Sequence, residues 1–70
     1  MSNFPRIFGQ TVYRLRQRAG LTQEKLAEKA GFTRNYIGDI ERAEKKVTLE
    51  ALAKLAKALK CRVRDLTWDV

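Results

Sequence analysis

The chain has 70 residues, 15 Lys and Arg against 8 Asp and Glu, a net charge of +7, no histidine and one cysteine. That length allows one domain with a small core, a single Cys61 excludes an internal disulfide, and the absence of histidine excludes an ordinary zinc site. A lone Ser2 and a lone cysteine offer no nucleophile–base pair and there is no phosphate-cradling glycine loop, so the expectation is a binding protein, not an enzyme, with no cofactor, metal or small-molecule ligand.

The N-terminal residues lack an apolar run long enough for a signal peptide, and no stretch is long enough to span a membrane. With one cysteine, a reduced cytoplasmic setting is the default expectation. The excess of positive charge points to a polyanionic partner, although it suits a merely soluble domain as well.

The first helix is expected to begin near Pro5, which a first helical turn tolerates. Phe4, Phe8, Val12 and Leu15 recur at spacings of four, four and three, which marks a buried stripe. Arg14 and Arg18 read as solvated side chains within reach of phosphate. Gly20 closes this helix.

Two helix starts follow in one syntax: an apolar residue, a threonine, and a second apolar residue four positions after the threonine. The first is Leu21, Thr22, Leu26; the second is Phe32, Thr33, Ile37. Each threonine can accept a hydrogen bond from an N–H of the first turn, and the flanking apolar residues can close into a staple. Gly31 lies between them, where positive φ allows a tight turn. Two short helices with glycine in the turn describe a helix-turn-helix over residues 22–42. Ala27 lies on the face of the first helix that approaches the second. Ile37 and Ile40 enter the core from the second helix. Arg34, Asn35, Gly38, Asp39 and Arg42 are left on faces that need no burial, an arrangement suited to a helix in the major groove of DNA.

Arg34 can bond guanine with two donors and Asn35 can bond adenine, so both are candidate base readers. The alternative for Arg34 is a phosphate contact. Asp39 can accept from a cytosine amine, or pair with Arg42 three residues on. Tyr36 either donates its hydroxyl to a phosphate or covers the helix flank. Gly38 allows close approach to the DNA backbone or to the preceding helix. Thr33, Arg42, Lys45 and Lys46 are candidates for backbone contact, and Lys25, Glu28 and Lys29 read as solvent-facing charges.

Val47, Thr48 and Leu52 repeat the helix-start syntax. In the helix that follows, Leu49, Leu52, Ala56 and Leu59 form the expected core stripe with Leu55 alongside, and Lys54, Lys57 and Lys60 lie elsewhere. Val63 and Leu66 suggest a short fifth helix, so the C-terminal helices are expected over about 48–67. Trp68 and Val70 lie beyond them. Leu55, Leu66 and Trp68 are candidates for a dimer interface, with closure of the chain's own core by Trp68 as the alternative.

The segment Leu21–Gly31 followed by Thr33–Arg42 resembles the lambda-repressor-like helix-turn-helix family, the Xre/Cro-repressor class. The matching positions are Gln23, Ala27, Gly31, Ile37, Ile40 and Glu41, and the resemblance extends from about Phe8 to Leu66. The run Tyr36–Arg42 is similar to the controller proteins of restriction–modification systems. The resemblance implies an all-α five-helix domain that binds double-stranded operator DNA as a homodimer and regulates transcription. It implies that Arg16 pairs with Glu41, and that Gln23 gives its amide to a phosphate. An inverted-repeat operator and a bacterial or phage source follow. Ala43 departs from the pattern, where the family usually has glycine, and the expected consequence is a recognition helix running one or two residues longer. An antitoxin or another protein-interaction module of the same fold is the alternative; it would require a toxin-binding tail.

Overall fold

The computed structural model describes residues 4–67. Every regular element among them is helical: α1 (Phe4–Arg18), α2 (Gln23–Ala30), α3 (Arg34–Glu41), α4 (Leu49–Ala58) and α5 (Val63–Thr67). Trp68 and Val70, with the interface or core closure expected of Trp68, lie outside the described residues.

The three threonines start three helices. Thr22, Thr33 and Thr48 each hold an extended backbone, and each hydroxyl accepts from the N–H three residues on: Lys25 at 3.0 Å, Tyr36 at 3.1 Å and Ala51 at 3.0 Å. Each cap satisfies a donor that the helix itself leaves open, a contribution of about 1 kcal/mol.

The ends are as regular as the starts. In α1 to α4 the last turn is closed by an N–H that reaches back five residues: Leu21 to the Arg16 carbonyl, Phe32 to Ala27, Glu44 to Asp39 and Cys61 to Ala56, at 2.8–3.1 Å. This closure requires positive φ at the residue before the donor. Gly20 and Gly31 supply it after α1 and α2; Ala43 at φ 62° and Lys60 at φ 56° supply it after α3 and α4. The recognition helix therefore stops at Glu41 and does not run on. The backbone hydrogen bonds of the turn outweigh the steric cost that alanine incurs in the left-handed region, so Ala43 takes the conformation a glycine would have taken.

Phe8, Val12, Leu26, Ile37, Ile40, Leu55 and Leu66 are fully enclosed and form one core drawn from all five helices. Helix α4 presents Leu52, Leu55 and Ala56 to it, with Ala51 also buried and Leu59 partly buried at the end. The expected stripe is thus rotated. Leu49 is 85% exposed, because the buried face of α4 is centred on Ala51, Leu52, Leu55 and Ala56 and leaves it at the edge. Leu55 and Leu66, expected at a dimer interface, are instead enclosed within this chain's own core and present no surface to a second copy.

Gly9 is buried where α1 packs on the end of α3. A Cβ built there would overlap the Ile40 carbonyl oxygen and lie 2.9 Å from that of Glu41. Glycine is required at this position because the two backbones touch.

Candidate nucleic-acid interface

Helix α3 is held from behind by Ile37 and Ile40, three apart and both enclosed. It is held at its C-terminal end by a buried ionic cluster. Arg16 Nε donates to Glu41 Oε2 at 2.7 Å, and Arg16 Nη2 donates to Glu41 Oε1 at 3.2 Å. The side chains are only 8% and 6% exposed. Arg16 Nη1 donates to the Leu21 carbonyl at 2.8 Å, and Gln23 Nε2 donates to Glu41 Oε1 at 3.0 Å. The guanidinium also lies 5.2 Å from the centre of the Tyr13 ring. One carboxylate thus ties α1, the start of α2 and the end of α3 together. Both of its oxygens and all three guanidinium nitrogens are engaged, which is what makes burial of the pair tolerable.

Gln23, assigned to a phosphate by resemblance, spends one amide hydrogen on Glu41, which leaves it another donor. It lies half-buried at the first position of α2 and lines a shallow polar depression with Arg16, Thr22, Glu24 and Arg34. The starts of α2 and α3 therefore lie side by side. Arg34 and Asn35 are exposed in the first turn of α3. Thr33 has its hydroxyl oxygen occupied by the Tyr36 N–H, while its own hydrogen can still be donated.

The rest of the outward face is less open. Tyr36 is half-buried, with its ring packed 4.8 Å from that of Phe32. Asp39 Oδ1 accepts from Arg42 Nη2 at 2.7 Å, and Glu44 Oε1 accepts from Arg42 Nε at 3.1 Å. These carboxylates, Glu44 foremost through its hydrogen bond, raise the pKa of an arginine that is charged in any case. The Arg42 guanidinium lies over Gly38, where a Cβ would be 3.0 Å from Nη1. Gly38 is therefore covered by a flexible side chain, not by the backbone of α2. Lys45 and Lys46 are exposed in the loop after α3. Burial raises the pKa of the Cys61 thiol, with the Asp65 charge adding to it, and this side chain lies away from the face described.

Gly9, Tyr13 and Glu44 are residues of this site that sequence reasoning missed. A glycine inside a helical stripe was the available signal for Gly9. Glu44 had none, since a residue two positions beyond Arg42 meets it only if the helix stops at Glu41.

Residues 12–66 match the family model described as helix-turn-helix, HTH_3. The chain belongs to that family. It is 39% identical over 66 residues to the control protein C.BamHI of Bacillus amyloliquefaciens, covering 93% of this chain and 82% of that protein. It is 47% identical over 60 residues to the control protein C.SmaI of Serratia marcescens, covering 86% and 71%. The solved structure of the restriction–modification controller protein C.AhdI from Aeromonas hydrophila superposes with a TM-score of 0.87 at 42% identity, covering 89% of this chain and 94% of that one. The resemblance to controller proteins read from Tyr36–Arg42 thus extends over most of the chain.

Proposed function

We propose that the protein is a sequence-specific regulator of transcription that binds double-stranded DNA, and that its target is the control region of a restriction–modification operon. The observation that carries this reading is the construction of α3. Its back is locked by Ile37, Ile40 and the Arg16–Glu41 pair, while Arg34 and Asn35 stand exposed in its first turn with donors matched to base edges. Gln23, Thr33, Lys45 and Lys46 supply backbone contacts, and Asp39 is the third base reader. The control proteins it is similar to support the operon assignment.

The protein acts as a homodimer on an inverted repeat, with the two recognition helices about 34 Å apart, in the bacterial cytoplasm. Occupancy then rises steeply with protein concentration. Sedimentation equilibrium tests the dimer; a monomer at all concentrations, with and without operator, overturns it.

A selection from randomised duplexes, followed by binding titrations over a range of salt, tests the main reading. Arg34→Ala and Asn35→Ala are each expected to lose roughly 1–3 kcal/mol on the selected duplex and to relax preference at one position per half-site. Lys45→Gln or Lys46→Gln is expected to weaken all duplexes alike and to lower the slope of log K against log salt by about one. Full retention of sequence preference by both α3 variants would remove the base-reading assignment, and binding indifferent to salt would remove the DNA reading itself.

A further inference from the structure

Arg42 is the one basic side chain on the outward face of α3 that is held by two carboxylates of its own chain. Asp39 takes Nη2 at 2.7 Å and Glu44 takes Nε at 3.1 Å. All three groups are solvent-accessible, the Arg42 and Glu44 side chains at 57% and 60%. Positions 35, 39 and 42 share one face of the helix by their spacing, so the cluster occupies the face on which Asn35 meets the groove. An arginine near a phosphate backbone would ordinarily add a contact to any sequence. Here that contact has a competitor built in.

We propose that Asp39 and Glu44 form an internal clamp on Arg42, and that Glu44 is thereby a determinant of sequence specificity. The inference rests on the DNA-binding reading. If Arg42 leaves for a phosphate, Asp39 is left as an uncompensated carboxylate among phosphates, which is unfavourable. A cytosine amine opposite Asp39 relieves that cost by donating to it. The phosphate contact of Arg42 is therefore released where the correct base takes over Asp39, and is withheld on other sequences. Glu44 strengthens the withheld state without touching a base. A neutral residue at position 44 lets Arg42 bind phosphate indiscriminately.

The test uses the full chain, a duplex selected from a random pool by the protein itself, and a scrambled duplex of equal composition. Glu44→Gln is expected to tighten binding to the scrambled duplex about threefold at low salt, with a smaller gain on the selected duplex. Its salt slope on the scrambled duplex is expected to steepen by about one. Glu50→Gln, the same change of charge on α4, is expected to move both duplexes equally. In an Arg42→Gln background the effect of Glu44→Gln is expected to vanish. The clamp is overturned if Glu44→Gln shifts both duplexes by the same factor, or if its effect persists without Arg42. A purely structural role would instead appear in urea unfolding of the Glu44→Gln variant with no change in salt slope, and that result also overturns the clamp. Failure of the parent to bind any duplex would overturn the DNA reading together with it.

Discussion

Helix α3 carries an arginine–carboxylate system at each side, and the two are opposites. On the inner side Arg16 and Glu41 are almost wholly enclosed, 2.7 Å apart, with every polar atom engaged. On the outer side Arg42 meets Asp39 at the same distance, but the two side chains are 57% and 25% exposed. The chemistry of the pair is common to both; burial decides what it does. A buried pair cannot exchange partners without stranding a charge, so it fixes geometry. An exposed pair is weakened by solvent and salt, so it can be traded for a base or a phosphate. The helix is rigid behind and exchangeable in front, as the proposed reading role requires.

The largest effect should come from breaking the inner pair. Arg16→Met or Glu41→Leu alone leaves an uncompensated buried charge and is expected to cost roughly 3–5 kcal/mol in urea unfolding. The double variant is expected to recover much of that loss, because both charges are then gone. Strictly additive losses would show that the two side chains act independently. By contrast, Asp39→Asn should leave the urea midpoint close to the parent's, since its partner Arg42 is 57% exposed and solvent weakens the pair. A large loss there would erase the distinction between the two sides.

A second way to disturb the inner side is through Gly9. Alanine at that position meets backbone carbonyls, which cannot swing aside, so α1 and the end of α3 must separate. The expected cost is roughly 1–3 kcal/mol. Because Glu41 moves with that end, the variant should also lose affinity for the selected duplex. Gly38→Ala is the matched control. Its Cβ meets only the far end of Arg42, so it is expected to be neutral or stabilising, helped by alanine's better helix propensity. Equal losses at both glycines would mean that backbone contact is not the reason for Gly9.

The inner side was more legible in the sequence than the outer. The threonine starts, Gly31, and Ile37 with Ile40 announce themselves by local spacing, because capping and periodicity are local rules. The Arg16–Glu41 pair lies 25 residues apart in sequence, and only the resemblance pointed to it. In the C-terminal helices and at the end of α3, local rules misled. Leu49 fits the stripe by spacing, yet the core is faced by Leu52, Leu55 and Ala56 and leaves Leu49 85% exposed. Leu55 and Leu66 read as surplus apolar residues because the core volume they fill is created by helices brought together from distant parts of the chain. Glu44 depends on where α3 stops, and the helix stops at Glu41 although no glycine marks the place.

That stop gives the smallest and most pointed comparison. The turns after α1 and α2 use Gly20 and Gly31 at positive φ, whereas the turns after α3 and α4 place Ala43 and Lys60 there. An alanine in this region carries a steric cost of roughly 1–2 kcal/mol that glycine avoids. Glycine gives back part of the gain by loosening the unfolded chain, by about 0.4–1 kcal/mol. Ala43→Gly is therefore expected to stabilise the protein by about 0.5–1 kcal/mol in urea. Lys60→Gly should gain less, because it also removes a cation from the C-terminal end of α4, where the helix dipole favours one. The hydrogen bonds from Ala43 to Ile40 and from Glu44 to Asp39 use only backbone atoms and survive the change. If Ala43→Gly destabilises instead, the left-handed turn is not what ends the recognition helix, and the position of Glu44 beside Arg42 loses its explanation.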